Sequence, residues 1–117
     1  MPLRRSPVPL TTILFVVFAY PILEEIVFRG ALQSALLKRS ALRRSIAGIS
    51  IACVVASLVF AAAHLISQPA GWAALVFFPA LAFGWARERH KTLYSPIVLH
   101  MFYNAGFIGL FQTGATS

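Results

Sequence analysis

Residues 10–37, LTTILFVVFAYPILEEIVFRGALQSALL, form a long apolar segment that carries Glu24, Glu25 and Arg29 in its interior. A helix of about 20 apolar residues crosses the ~30 Å hydrocarbon core of a bilayer, so this segment is predicted to span a membrane. Later apolar segments are also rich in Ala and Leu and lack the polar–apolar alternation of strands. The sequence therefore predicts one all-α domain over residues 1–117, a polytopic membrane protein built as a bundle of about four transmembrane helices. The predicted spans are residues 10–37, 46–66, 72–86 and 96–111.

The composition excludes two large classes of protein. Hydrophobic residues make up 59% of the chain and charged residues 11%, against about 45–50% and about 25% in typical soluble domains. A soluble fold of this length would expose much of its apolar surface to water. Disordered chains are poor in apolar residues and rich in charge, which is the opposite pattern. An integral membrane protein is the class that remains.

The formal net charge of +7 comes from clustered basic residues. Nine of the ten Lys and Arg residues lie in three clusters, at Arg4 and Arg5, in residues 38–44 and in residues 87–91. Basic clusters beside apolar spans are typical of membrane orientation, so membrane lipid is an expected partner and nucleic acid is not. The positive-inside rule places the two basic loops in the cytoplasm and the uncharged loop 67–71 outside, which suits a bacterial cytoplasmic membrane.

Two of the three acidic residues, Glu24 and Glu25, are adjacent within the first predicted span. A carboxylate in the hydrocarbon region is costly, and such groups usually face a cavity or a partner. Arg29 follows Glu25 by four residues on the same helical face, which predicts an ion pair between them. Glu24 has no such local partner. It is therefore the stronger candidate for chemistry, with the Glu25–Arg29 pair as its support.

Two histidines also lie within predicted spans. His64 ends the stretch FAAAH, one turn after Phe60, and His100 begins HMFYN, one turn before Asn104. Each feature has a purely structural interpretation. His64 could be a hydrogen-bonded core residue, and His100 with Asn104 could form an interhelical hydrogen bond. Phe60 could serve packing alone, and the paired carboxylates could belong to a polar network between helices. If these side chains converge on one site, a single hypothesis explains nearly all of the polar residues within the predicted spans.

Such a set of side chains suits one kind of reaction. A carboxylate and a histidine that share a water can remove its proton and direct it at a carbonyl. A second histidine and an asparagine amide can donate hydrogen bonds to the oxyanion that forms. This is amide hydrolysis without a Ser or Cys nucleophile. Zinc held by Glu24, His64 and His100 is the alternative, because two His and one carboxylate form a catalytic ligand set. The HExxH signature of zincins is absent.

Three motifs in order resemble a known family of intramembrane proteases. EEIVFR at residues 24–29 fits EExxxR, FAAAH at residues 60–64 fits FxxxH, and HMFYN at residues 100–104 fits HxxxN. On the first, second and fourth apolar spans, they resemble the CAAX protease and bacteriocin-processing family, also called CPBP or Abi, of glutamic-type intramembrane endopeptidases. The similarity covers about residues 19–109, most of the chain.

The resemblance implies a role for each motif residue. Glu24 and His64 would activate the water, and His100 and Asn104 would stabilise the oxyanion. The three supporting residues would be Glu25, Arg29 and Phe60. The resemblance also implies an active site within the membrane and no required cofactor, with a divalent metal such as zinc left open.

The resemblance implies a peptide or protein substrate with a membrane-associated tail. The best-known members cleave prenylated CAAX tails, and many bacterial members are linked to bacteriocin immunity and peptide processing. Family members usually carry further helices before the EE motif. The chain is therefore expected to be a fragment lacking N-terminal helices, a minimal member, or one that needs a partner such as a second copy in a homo-oligomer.

Two rival functions remain open on the sequence. A small proton- or ion-coupled transporter could use Glu24, Glu25 and His64 as a relay, although no inverted repeat is visible. A catalytically inactive anchoring or assembly subunit could use the same residues for helix contacts. The variant Glu24→Gln would lose cleavage in a protease, coupled flux in a transporter, and neither in a scaffold.

Overall fold

The computed structural model describes residues 8–113 and contains four main helices and one very short hairpin. The basic cluster at Arg4 and Arg5 lies outside the described residues. The elements are helix α1 (Leu10–Leu36), a 3-10 helix (Ser40–Arg43), strands β1 (Ser45–Ile46) and β2 (Ile49–Ser50), helix α2 (Ile51–Ala63) with a 3-10 turn (His64–Ile66), helix α3 (Ala70–His90) and helix α4 (Tyr94–Thr113). The predicted all-α fold class is confirmed.

Helix α1 is continuous but changes its hydrogen-bond pattern along its length. Two π-helical segments, Leu14–Ala19 and Ile26–Gln33, alternate with α-helical turns. The Tyr20 N–H donates to the Phe15 carbonyl, five residues back. The next bond in that pattern would run from residue 21 to the carbonyl of residue 16, but Pro21 has no N–H. Helix α1 therefore offers a free carbonyl in its first half, as a proline within a membrane helix is expected to do.

The start of the second predicted span, at residue 46, is wrong. Residues 45–50 form a two-stranded antiparallel hairpin rather than helix. Ala47 and Gly48, at its turn, both have positive φ, as the two-residue type I′ turn requires. Helix α2 begins at Ile51, where the Ser50 Oγ accepts a hydrogen bond from the Cys53 N–H at 2.9 Å. Ser50 thus provides a regular N-cap in place of a continued helix.

The third and fourth helices are longer than their predicted spans, residues 72–86 and 96–111. Helix α3 continues to His90 and ends where Lys91 adopts a left-handed conformation. Helix α4 begins at Tyr94, so that Pro96 lies in its first turn, where a missing N–H costs no helical bond. A prediction from hydropathy misses the true helix ends, because basic clusters flank these helices.

The apolar surface of the bundle faces outward. Helices α1 and α3 are long and apolar enough to cross a membrane, and only 17% of the most apolar window of α1 is buried within the protein. The buried contacts are made largely by small side chains, including Ala52 and Ala56 on α2 and Ala80 on α3, all fully buried. Small residues let helices approach closely in lipid. Helix α3 packs against α1, α2 and α4.

Candidate active site

The predicted ion pair between Glu25 and Arg29 is present at the centre of the bundle. Both side chains are fully buried, and Arg29 Nε lies 3.4 Å from Glu25 Oε1. The Arg29 guanidinium also donates from Nη2 to the Ala80 carbonyl on α3 at 2.5 Å. One cation thus forms an ion pair with a carboxylate on its own helix and a hydrogen bond with a backbone carbonyl on a neighbouring one.

Glu25 also contacts His100, a contact 75 residues away that the sequence did not predict. The His100 Nδ1 lies 2.8 Å from Glu25 Oε2, so the two carboxylate oxygens serve two different partners. The other ring nitrogen, Nε2, lies 3.5 Å from Glu24 Oε1. His100 is only 5% exposed. It therefore sits between two carboxylates, of which Glu25 is fully buried and Glu24 has a side chain that is 36% exposed.

Two phenylalanine rings enclose the charged pair from either side. The Arg29 Cζ lies 5.1 Å from the centroid of the Phe60 ring and 5.8 Å from that of Phe83. Both distances are within the range of cation–π attraction. Phe60 also meets the His64 ring at 4.7 Å and the edge of the His100 ring at 5.8 Å. Phe83 belongs to none of the three motifs, and no pattern in the sequence pointed to it.

His64 and Asn104 are each held by a backbone carbonyl. The His64 Nδ1 lies 2.8 Å from the Phe60 carbonyl, which can only accept, so Nδ1 donates this bond and Nε2 carries the lone pair of the neutral ring. The Asn104 Nδ2 donates to the Val16 carbonyl at 2.8 Å. This is the carbonyl that Pro21 leaves without a helical partner. The proline in α1 thus creates the acceptor that orients Asn104 on α4.

One small cavity, of about 90 Å³, brings several of the candidate residues together. Four of the seven residues singled out by the sequence line it, and they are Phe60, His64, His100 and Asn104. Glu24 lies next to this group through its contact with His100, and it is within electrostatic range of His64. His100 therefore links the two groups, because it lines the cavity and also contacts both Glu24 and Glu25.

A second polar group at the basic end of the bundle escaped the sequence interpretation. Gln33 is fully buried and donates from Nε2 to the Gly84 carbonyl at 3.0 Å and to the Glu88 carboxylate at 2.5 Å. The Ser50 hydroxyl donates to the same carboxylate oxygen at 2.6 Å. Gln33 continues the four-residue spacing of Glu25 and Arg29, and that spacing was the available signal.

The arrangement of the donor side chains determines whether they could hold a metal ion. Within residues 8–113, no three His, Cys, Asp or Glu side chains come close enough together to hold a metal ion. The set considered for zinc, which is Glu24, His64 and His100, does not form such a group in this structure.

Comparison with known proteins identifies the chain's relatives. Residues 6–106 match the family model described as Rce1-like, type II CAAX prenyl endopeptidase Rce1-like. The chain is 39% identical over 111 residues to the membrane-embedded CAAX protease MroQ of Staphylococcus aureus (strain USA300). That match covers 93% of this chain and 41% of MroQ, so the chain spans less than half the length of this relative. No solved structure matches the chain.

Exposed apolar helices around a buried carboxylate–histidine cluster, together with these two matches, define the class as CAAX-type proteases of the membrane. The chain belongs to the Rce1-like family of type II CAAX prenyl endopeptidases. The resemblance to the CPBP or Abi family that the three motifs suggested is thereby confirmed, and the chain is an integral membrane protein.

Proposed function

We propose that the chain forms the catalytic core of an intramembrane endopeptidase that hydrolyses a peptide bond in a membrane-associated tail. The observation that carries the proposal is the shared cavity of His64, His100 and Asn104, with Glu24 against His100. In this proposal, the four helices span a bacterial cytoplasmic membrane with the basic loops on the cytoplasmic side, and the site lies at membrane depth.

Glu24 and His64 activate the water in the proposed mechanism. The lone pair on His64 Nε2 and the carboxylate of Glu24 are the two bases available to a water in the cavity. As the water oxygen forms a bond to the carbonyl carbon, its proton passes to one of these bases. The same base then returns the proton to the leaving amide nitrogen as the C–N bond breaks. Glu24 is the less buried of the two glutamates, with a side chain that is 36% exposed.

His100 and Asn104 stabilise the oxyanion of the tetrahedral intermediate. Asn104 uses one of its two amide hydrogens on the Val16 carbonyl, which leaves the second for a ligand. His100 offers Nε2 when that nitrogen carries a hydrogen, while its Nδ1 is held by Glu25. Donors fixed before the reaction lose no energy to reorganisation when charge develops, which is the main advantage of an oxyanion site.

An apolar groove beside the cavity supports a substrate with an apolar segment. The groove has a volume of about 470 Å³ and lies between α3 and α4. It shares Trp72, Val76, Tyr103 and Phe107 with the lining of the cavity. An apolar tail in the groove would place a neighbouring peptide bond at His64 and His100. The proposed mechanism uses no metal.

The test is cleavage of tail peptides, prenylated and unprenylated, by the purified chain in lipid nanodiscs. We expect Glu24→Gln and His64→Ala to abolish cleavage while insertion and thermal stability are retained. His90→Ala makes the second exchange at the exposed end of α3 and serves as the matched control. A chelator arm tests whether a metal takes part.

Cleavage by the wild type that persists in Glu24→Gln would remove Glu24 from the mechanism. Intact peptides with wild-type protein, combined with a proton flux that Glu24→Gln abolishes, would replace the protease with a transporter. Loss of folding in both site variants, but not in the His90→Ala control, would assign Glu24 and His64 to a structural polar network.

A further inference from the structure

Phe83 makes the closest face-to-face contact with His100. Its ring centroid lies 4.6 Å from that of His100, and the two ring planes differ by 19°. Phe83 is 4% exposed and lies on α3, between the Ala80 carbonyl that binds Arg29 and the Gly84 carbonyl that binds Gln33. It also lines the cavity.

A hydrogen bond at one nitrogen does not fix the orientation of an imidazole. Glu25 holds the Nδ1 of His100 at 2.8 Å, but the ring can still rotate about its χ2 torsion, which has a broad energy profile. Phe60 meets the same ring edge-on, with an interplanar angle of 77° and centroids 5.8 Å apart. An edge contact limits the space around the ring without defining its plane. The stacked face of Phe83 does define that plane.

Phe83 is itself held on two further sides. The Arg29 guanidinium lies 5.8 Å from its centroid, and the Tyr103 ring packs against it at 6.0 Å with an interplanar angle of 77°. These contacts come from α1 and α4, so three helices determine where the Phe83 ring stands. A ring fixed in this way can act as a rigid surface for its neighbour.

We propose that Phe83 is a positioning residue that sets the plane of the His100 ring and directs its Nε2 between Glu24 and the cavity. The proposal deepens the proposed function, because it rests on His100 as an oxyanion donor. Phe83 acts through His100 and touches no reacting atom. Misplacement of a catalytic group by about 1 Å can lower a rate about 10²-fold, and this sets the scale of the expected effect.

The experiment compares three variants of the full chain in nanodiscs with the wild type. Phe83→Leu keeps an apolar side chain of similar size without a flat face, and Phe83→Tyr keeps the face. Phe78→Leu makes the same exchange on the outward side of α3, where Phe78 is 64% exposed, and is the matched control. Peptide cleavage gives kcat and KM separately. The ring signals of His100 are recorded by NMR on protein with labelled histidine.

We expect Phe83→Leu to lower kcat about 10²-fold while KM changes less than about threefold. Phe78→Leu should leave both constants within about twofold, and Phe83→Tyr should recover most of kcat, since only the face is needed. In the NMR spectrum, Phe83→Leu should remove the upfield ring-current shift of His100 and broaden its signal, as the ring samples several orientations. Phe83→Tyr should retain a single sharp signal.

If the wild type cleaves the peptides and Phe83→Leu has the same kcat as Phe78→Leu, the proposal is overturned. A Phe83→Tyr variant with a kcat no higher than that of Phe83→Leu would overturn it as well. If the wild type cleaves neither peptide, the proposed function fails, and the NMR experiment still decides the positioning role. A sharp His100 signal with the same orientation in Phe83→Leu would then overturn it.

Discussion

The buried pair of Glu25 and Arg29 makes a strong prediction about stability. In Glu25→Gln the side chain keeps its size and one acceptor oxygen, but Arg29 becomes a fully buried cation without its ion-pair partner. At the observed separation of 3.4 Å, the lost attraction is about 5 kcal/mol for an effective dielectric constant of ~20. Breaking a buried pair on one side costs about 3–5 kcal/mol in other proteins, in agreement with this value.

The single cysteine provides the assay. Cys53 is fully buried, so a thiol-reactive fluorogenic dye labels it only when the bundle opens on heating. We expect the midpoint of labelling in Glu25→Gln to fall by at least about 10 °C, since each kcal/mol shifts the melting temperature of a chain of this size by several degrees. The control is Glu24→Gln, where the side chain is 36% exposed and the loss should stay below about 1 kcal/mol.

A double variant separates charge from shape. Glu25→Gln combined with Arg29→Met removes both charges, and replacing a buried ion pair by neutral groups of similar size is often close to neutral in stability. The double variant should therefore melt well above Glu25→Gln. A Glu25→Gln protein as stable as the wild type, or a double variant no more stable than the single one, would refute the reasoning that Arg29 needs its counter-ion.

Two further predictions concern close contacts between helices. Asn104→Ala should lower kcat about 10²–10³-fold, the usual effect of losing one oxyanion donor. It should lower the free energy of unfolding by only about 1 kcal/mol, through the lost hydrogen bond to Val16. Turnover and dye labelling measure the two effects, and unchanged turnover would remove Asn104 from the site. Gly84→Ala should destabilise the bundle by about 1–3 kcal/mol, because the new Cβ would lie 2.5 Å from Cys53 Sγ and 2.8 Å from Gln33 Oε1. Gel filtration after heating measures this loss of stability, and adding Cys53→Ala should recover part of it. A Gly84→Ala protein that withstands heating as well as the wild type would contradict the close packing of Gly84 against Cys53 and Gln33.

Local spacing predicted the contacts within single helices. The Glu25–Arg29 pair follows from a four-residue spacing, and the structure contains it. The contact of His100 with Glu25 joins residues 75 positions apart and depends on how α1 and α4 pack, which no local pattern encodes. The stacking of Phe83 is invisible in sequence for the same reason, since a phenylalanine in an apolar helix resembles any other.

The hairpin at residues 45–50 shows why hydropathy misplaced a helix start. Ile46, Gly48 and the residues after them read as one apolar run with small residues at helical spacing. Ala47 and Gly48 instead take positive φ, and Ser50 caps the helix that follows. Gly48 costs little in such a turn and about 1 kcal/mol in a helix, so Gly48 and the Ser50 cap favour the turn, against the cost of a positive φ at Ala47.

The order of synthesis gives the polar face of α1 a further consequence. Arg29 and Gln33 each bind a backbone carbonyl of α3 that lies 51 residues later in the chain. At about 5–20 residues per second, a ribosome needs roughly 3–10 s to add that many residues. During this interval Glu25 can neutralise Arg29 within its own helix, but Gln33 has no partner from α3. A newly made α1 therefore reaches the bilayer with Arg29 paired to Glu25 and with the Gln33 amide unsatisfied, and the arrival of α3 supplies the acceptors for the Gln33 Nε2.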